Sequence, residues 1–317
     1  VKAKSIPFLP LIATNATFSS DAFQQLMVLF PQNTMLIGDE VHNLGSNRLL
    51  SSLPDSVPYR LGLSATPERW YDDTGTQELF AYFGPVLQPE FTLKDGLDCG
   101  ALVRYCYKPI FVDLTDDEAY RYSELSNKIG KFLSSGENLD DPSPAFQALL
   151  MKRARLLATA ENKAVLLREE MKSRLDTTHT LFYCGDGSVE TSDGKMIRHV
   201  DEICRILGGE LGYRVDTYTA EDSLYEREEL QRDFERGALQ GLVAIRCLDE
   251  GVDLPVIKTA FILASSSNPR QFIQRRGRIL RPHPSKKEAE IFDFIVLPPR
   301  DAMNYDTERS MLRRELT

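Results

Sequence analysis

Two adjacent carboxylates, Asp39 and Glu40, follow the apolar run Met35-Leu36-Ile37-Gly38 and precede Val41-His42. Acids at the end of a buried strand stand where open α/β sheets carry their ligand sites. In nucleotide hydrolysis one carboxylate holds Mg²⁺, commonly through water, while a second orients or deprotonates the attacking water, so Asp39 and Glu40 could divide those tasks. A solvated turn bearing two acids is the plainer alternative.

Further along, Arg60-Leu61-Gly62-Leu63-Ser64-Ala65-Thr66-Pro67 reads as a strand ending in small hydroxyl residues, suited to a short hydrogen-bonded relay beside the acids. Its Gly62-x-Ser64 spacing does not make a serine-hydrolase elbow, because Thr66 stands where the last glycine should be and Pro67 follows. Far downstream, Gln271 to Arg281 reads as a helix rich in arginine and glutamine, with Arg278 and Arg281 three apart and therefore expected on one face. Such a face can offer fixed, forked cations to a transferring phosphoryl group. A basic solvated helix and a contact with a nucleic-acid backbone are the other two readings.

These residues need elements to hold them. Leu11-Ile12-Ala13, Met35-Leu36-Ile37 and Arg60-Leu61-Gly62-Leu63 read as buried strands alternating with helix-like stretches, which favours a parallel α/β sheet. Ser20-Asp21 can cap a helix through Leu29, with Pro31 as a stop. From Thr115 to about Leu175 the pattern is helical, interrupted by a polar break from Ser134 to Pro144. A second α/β region follows, with strands expected at Leu181–Cys184, Leu242–Ile245, Ala260–Leu263 and Ile291–Val296. Gly185 to Lys195 reads as a loop leading to a helix near Ile197, and its Asp186-x-Ser188-x-Glu190 spacing lacks the glycine and closing glutamate of a calcium loop.

Composition sets the outer bounds. The 317 residues, 42% apolar with a net charge of −9, suffice for two ordinary cores. An acidic balance argues against binding nucleic acid by bulk charge, while leaving local phosphate contacts open. No apolar run approaches a membrane span and no signal-type segment opens the chain, which gives the expectation of a soluble, cytoplasmic protein. Five scattered cysteines without a Cys-x-x-Cys pair indicate neither zinc nor a disulfide framework; reduced, mostly buried thiols are expected. Val1 in place of an initiator methionine, with useful residues soon after it, gives the expectation that the sequence begins inside a longer protein.

Taken in order, the stretches resemble the motifs of superfamily two helicases. Asp39-Glu40-Val41-His42 resembles motif II, Ser64-Ala65-Thr66 motif III, Leu181-Phe182-Tyr183-Cys184 motif IV, Asp249 to Pro255 motif V and Gln274 to Arg281 motif VI. Within that superfamily the chain is similar to double-stranded-DNA translocases, a group that includes xeroderma pigmentosum type B helicases and restriction or phage-defence motors. The resemblance implies an α/β fold of two RecA-like domains joined by a helical linker. Residues 1–112 would be the C-terminal part of the first domain, 113–175 the linker or insert, 176–300 the second domain and 301–317 a tail.

It also implies ATP with Mg²⁺ as cofactors and nucleic acid, DNA rather than RNA, as partner, with restriction or phage-defence subunits as further partners. Asp39 would hold Mg²⁺, Glu40 would activate water, and His42 with Ser64 and Thr66 would couple hydrolysis to movement. Arg278 and Arg281 would be the arginine fingers, Gln274 would sense the γ-phosphate, and Gly251 with Asp253 would contact nucleotide. Thr14-Asn15 would meet a nucleic-acid phosphate, a helix cap being the alternative, and Arg246 and Ser266 would touch the backbone. One element of the family is missing: no Gly-x-x-x-x-Gly-Lys-Ser/Thr loop occurs in the sequence. The alternative to a motor is a degenerate helicase-fold module that binds nucleic acid or a protein without hydrolysis.

Overall fold

A computed structural model describes residues 8–69, 72–137, 143–190, 194–245, 254–264, 274 and 276–297. The chain divides into two compact units, Val1–Glu90 and Phe91–Thr317. In the first, helices α1 (Asn15–Phe18) and α2 (Asp21–Met27) precede strand β1 (Met35–Gly38), a 3-10 turn (Val41–Gly45), α3 (Asn47–Leu50), strand β2 (Tyr59–Gly62) and α4 (Asp73–Phe83). The Ser20 hydroxyl accepts from the Phe23 amide and so starts α2 as its sequence predicts.

β1 and β2 pair in parallel, with Ile37 opposite Leu61 and Gly38 opposite Gly62. Val41, Leu44 and Leu79 form a small core beside this sheet, with Phe83 packed against it. The strands expected to be buried are only half so, because Met35, Ile37 and Tyr59 are exposed. Leu11-Ile12-Ala13 is not a strand at all: Leu11 and Ile12 are exposed and the segment is irregular.

The second unit begins with α5 (Leu93–Asp98) and strand β3 (Arg104–Val112), followed by α6 (Asp116–Ser134), α7 (Pro144–Ala158) and α8 (Glu161–Lys172). Then come β4 (Thr180–Cys184), the short strands β5 (Ser188–Glu190) and β6 (Met196–Arg198), α9 (His199–Cys204), β7 (Val215–Tyr218), α10 (Leu224–Glu235), β8 (Gly241–Ile245), β9 (Thr259–Ile262) and β10 (Glu288–Val296). Capping boxes Thr115/Glu118 and Ser223/Glu226 start α6 and α10. The main sheet runs β3-β10-β9-β4-β8-β7, and every pair in it is parallel. Such strands are covered on both faces, which is why β4, β8 and β9 read as unbroken apolar runs.

Phe182, Phe261 and Phe292 stand in register on three neighbouring strands. Their rings stack at 5.2 and 4.6 Å between centroids. Each stacked pair adds about 0.5–1.5 kcal/mol beyond the area it buries.

Four expectations change here. The boundary placed at 112 falls instead between Glu90 and Phe91, because β3 pairs along its whole length with β10. The helical stretch is more than a linker, since Leu167 and Met171 of α8 sit fully buried in the core of the second unit. The loop expected from Gly185 to Lys195 contains one strand of an antiparallel hairpin, β5 paired with β6, and the following helix starts at His199. Of the described cysteines Cys184 is buried, but Cys99 and Cys106 are exposed, contrary to the expectation of mostly buried thiols. Among the described residues no helix is long and apolar enough to cross a membrane.

Candidate functional site

In the first unit the acid pair leaves the C-terminal end of β1. The Leu63 amide donates to the Gly38 carbonyl at 2.8 Å and the Val41 amide to the Leu63 carbonyl at 2.9 Å, so the chain beyond β2 clasps the Asp39-Glu40 turn from both sides. Glu40 adopts a left-handed backbone, φ 45° and ψ 52°. A side chain there costs roughly 1–2 kcal/mol, and such outliers gather at functional sites. The Glu40 amide donates to Asp39 Oδ1 at 3.0 Å, which turns that carboxylate back over its own peptide.

His42 is buried and joins the two motifs. Its Nδ1 lies 3.0 Å from Ser64 Oγ and 3.5 Å from Glu40 Oε2. Ser64 Oγ donates to the Thr66 carbonyl at 2.9 Å and accepts the Thr66 amide at 3.2 Å. With its own proton committed to Thr66, the serine can only accept from the imidazole, which assigns the Nδ1–H tautomer to His42. The structure therefore brings Glu40, His42, Ser64 and Thr66 into one polar relay.

Sequence reading did not single out Arg69, whose guanidinium donates to the His42 carbonyl and to Asp72 Oδ2. The Gly75 amide and then Arg69 hold the Asp72 carboxyl below its usual range. Gly75 lies so close that a Cβ built on it would come 2.6 Å from the Gly45 carbonyl oxygen, which locks the start of α4 against the 3-10 turn.

Thr14 is a helix cap in this structure, its Oγ1 accepting the Thr17 amide at 3.2 Å, with Asn15 opening α1. Neither is joined to the relay by any of these bonds.

In the second unit Gln274 and residues 276–279 are helical, with Gln274 and Arg278 half-buried. Arg281 is half-buried too but lies past the helix end, so the two arginines do not share a helical face as expected. Pro282 explains this, since a residue preceding proline is pushed out of the helical region. The Val103 amide donates to the Leu280 carbonyl at 2.9 Å, tying the segment to the entrance of β3. Arg276 lies over the Tyr107 ring at 4.5 Å, and the Tyr107 hydroxyl donates to the buried Asp293 at 2.8 Å. Burial first, then the Asp293 charge, pushes the Tyr107 phenol well above its ordinary range, so it stays a donor. Tyr107 and Asp293 escaped sequence reading because their contact spans β3 and β10. The calls on Arg246, Gly251, Asp253 and Ser266 lie outside the described residues.

An acid pair at a strand end in one unit and a doubly covered parallel sheet in the other define the class of RecA-like α/β domains. The helicase conserved C-terminal domain matches residues 158–283. The "DNA 3'-5' translocase XPB2" of Sulfurisphaera tokodaii is 32% identical over 281 residues, covering 83% of this chain and 58% of that protein. The "Putative DNA 3'-5' helicase Rad25" of Haloarcula marismortui is 26% identical over 311 residues, covering 96% of this chain and 41% of that one. The crystal structure of the Pyrococcus furiosus Hef helicase domain shares the fold at a TM-score of 0.50 and 14% identity, over 93% of this chain and 78% of that one. The chain is a superfamily two helicase-like protein. It spans about half the length of the curated relatives it matches.

Proposed function

We propose that this chain carries the hydrolytic and coupling parts of a nucleic-acid-dependent ATPase motor, a helicase or double-stranded-DNA translocase. The observation that carries the reading is the clasped Asp39-Glu40 turn and its relay through His42 to Ser64 and Thr66. Among the described residues no group of three or more acids, histidines and cysteines could hold a metal by itself. Mg²⁺ binds through one or two carboxylates and takes its other ligands from water and substrate phosphates. Asp39 would be that carboxylate. Bound with ATP, the ion supplies charge neutralisation at the phosphates.

Glu40 takes the proton of the attacking water. Its Oε2 lies 3.5 Å from His42 Nδ1, close enough for the imidazole to feel the change of charge when the carboxylate is protonated. A change of charge at Glu40 thereby reaches the Ser64-Thr66 loop, which is the coupling step. Arg278 and Arg281 stabilise charge on the transferring phosphoryl group, and Gln274 reads the γ-phosphate. No Gly-x-x-x-x-Gly-Lys-Ser/Thr loop occurs among these 317 residues. DNA is the preferred track, in keeping with the names of both curated relatives.

The test is DNA-stimulated ATP hydrolysis by the full-length protein. Glu40→Gln keeps the shape of the side chain and removes the base, and turnover should fall at least about 100-fold with DNA binding retained. Unchanged turnover would reject Glu40 as the base. A wild-type protein that binds DNA and hydrolyses no ATP would favour the non-hydrolysing module.

A further inference from the structure

Lys286 follows β9 and precedes β10 in a polar stretch, Pro284-Ser285-Lys286-Lys287-Glu288, where an exposed side chain is the ordinary outcome. It is 5% exposed. Its ammonium donates to the Pro255 carbonyl at 2.7 Å, the Ile257 carbonyl at 2.9 Å and the Ile279 carbonyl at 2.8 Å. An ammonium has three donors, and all three are spent on main-chain oxygens. The surroundings are apolar, with Leu254, Val256, Ile257, Ile279 and Leu280 buried. Burial pulls the Lys286 pKa down to about 8, so the charge is retained near neutrality against a desolvation cost.

The three carbonyls belong to two chain segments. Pro255 and Ile257 lie just after the stretch from Asp249 to Asp253; Ile279 immediately follows Arg278 and stands two residues before Arg281. We propose that Lys286 is a positioning residue that pins the arginine-bearing segment to the chain leaving Asp249–Asp253, fixing where Arg278 and Arg281 point. The inference rests on the motor reading for what the arginines do, while the pin itself rests on geometry alone. A displacement of about 1 Å at a positioned cation is enough to cost about two orders of magnitude in rate.

The experiment substitutes Lys286→Met, which keeps the stem and removes all three donors, and Lys286→Gln, which keeps two, in the intact protein. Hydrogen exchange is followed at the amides of Leu254, Val256 and Ile257 and of 279–281, with ATP kinetics measured alongside. Exchange should quicken in both segments, more for methionine than for glutamine. The turnover number should fall at least about 10-fold while KM for ATP stays within about 3-fold, because the arginines act on the transition state. Faster exchange with unchanged turnover would overturn the positioning role, as would unchanged exchange in either segment. If Lys286→Met fails to fold, Lys286→Gln is read by the same criteria. Should the wild type hydrolyse no ATP, the motor reading fails, and the exchange pattern still decides whether the pin exists.

Discussion

The two units hold their residues by different means. In the second unit six parallel strands bury a continuous core, and a ladder of Phe182, Phe261 and Phe292 fixes the strands on which the arginine segment leans. In the first, two short strands carry the acid pair beside a core of Val41, Leu44 and Leu79, with Met35, Ile37 and Tyr59 exposed. There the geometry is set by hydrogen bonds: Leu63 to Gly38, Val41 to Leu63, His42 to Ser64 and Arg69 to the His42 carbonyl. Apolar packing makes a platform, whereas directional polar contacts make a turn that can respond to a proton.

That contrast can be broken by substitution. Phe261→Ala removes the middle ring of the ladder and should destabilise the second unit by about 3–5 kcal/mol in urea denaturation. A loss below about 1 kcal/mol would show that the ladder contributes little to the platform.

A smaller effect comes from His199, which is buried in the second unit and whose Nδ1 has no hydrogen-bond partner among the described residues. Desolvation, then the nearby Lys163 charge, lowers its pKa to about 4. The unfolded chain takes up a proton near pH 6.5 and the native one does not until about pH 4, so stability is greatest above 6.5 and falls as pH drops through that window. The loss is up to roughly 3 kcal/mol by pH 4. His179, also lowered by burial, acts with the same sign. Urea midpoints at pH 7 and 5 should differ less in His199→Gln than in wild type; an equal difference would assign the effect elsewhere.

The smallest change is expected in the first unit. Ser64→Ala removes the His42 acceptor and should cost about 1–3 kcal/mol. Its larger consequence is on coupling, read as a lower DNA stimulation of ATP hydrolysis than in wild type. Full stimulation would remove the Ser64 link from the relay.

Much of this architecture was legible because physics writes it locally. β4, β8 and β9, covered on both faces, appear as unbroken apolar runs, and Ser20 announces α2. β3 was assigned to the wrong side of the domain boundary because its pairing with β10 joins residues more than 180 positions apart, as the Tyr107–Asp293 bond illustrates. Pro109 within it is tolerated on an edge strand. Leu11-Ile12-Ala13 has a strand's composition, yet composition supplies no pairing edge. The Glu40, His42, Ser64 and Thr66 residues were legible as types and spacings, but their left-handed turn and relay were not. Lys286 left no trace, since nothing in a polar run signals that three distant carbonyls will enclose its ammonium.

The proposal that Glu40 and Arg278 act in one hydrolytic step is tested most directly by a double-mutant comparison of ATP turnover in the full-length protein. Glu40→Gln and Arg278→Ala should each lower DNA-stimulated turnover at least about 100-fold, and together should be no more than about 3-fold worse than the more damaging single change, because groups acting in one step are not additive. Turnover unaffected by Arg278→Ala, or a double variant whose loss is the product of the two single losses, would contradict a shared step.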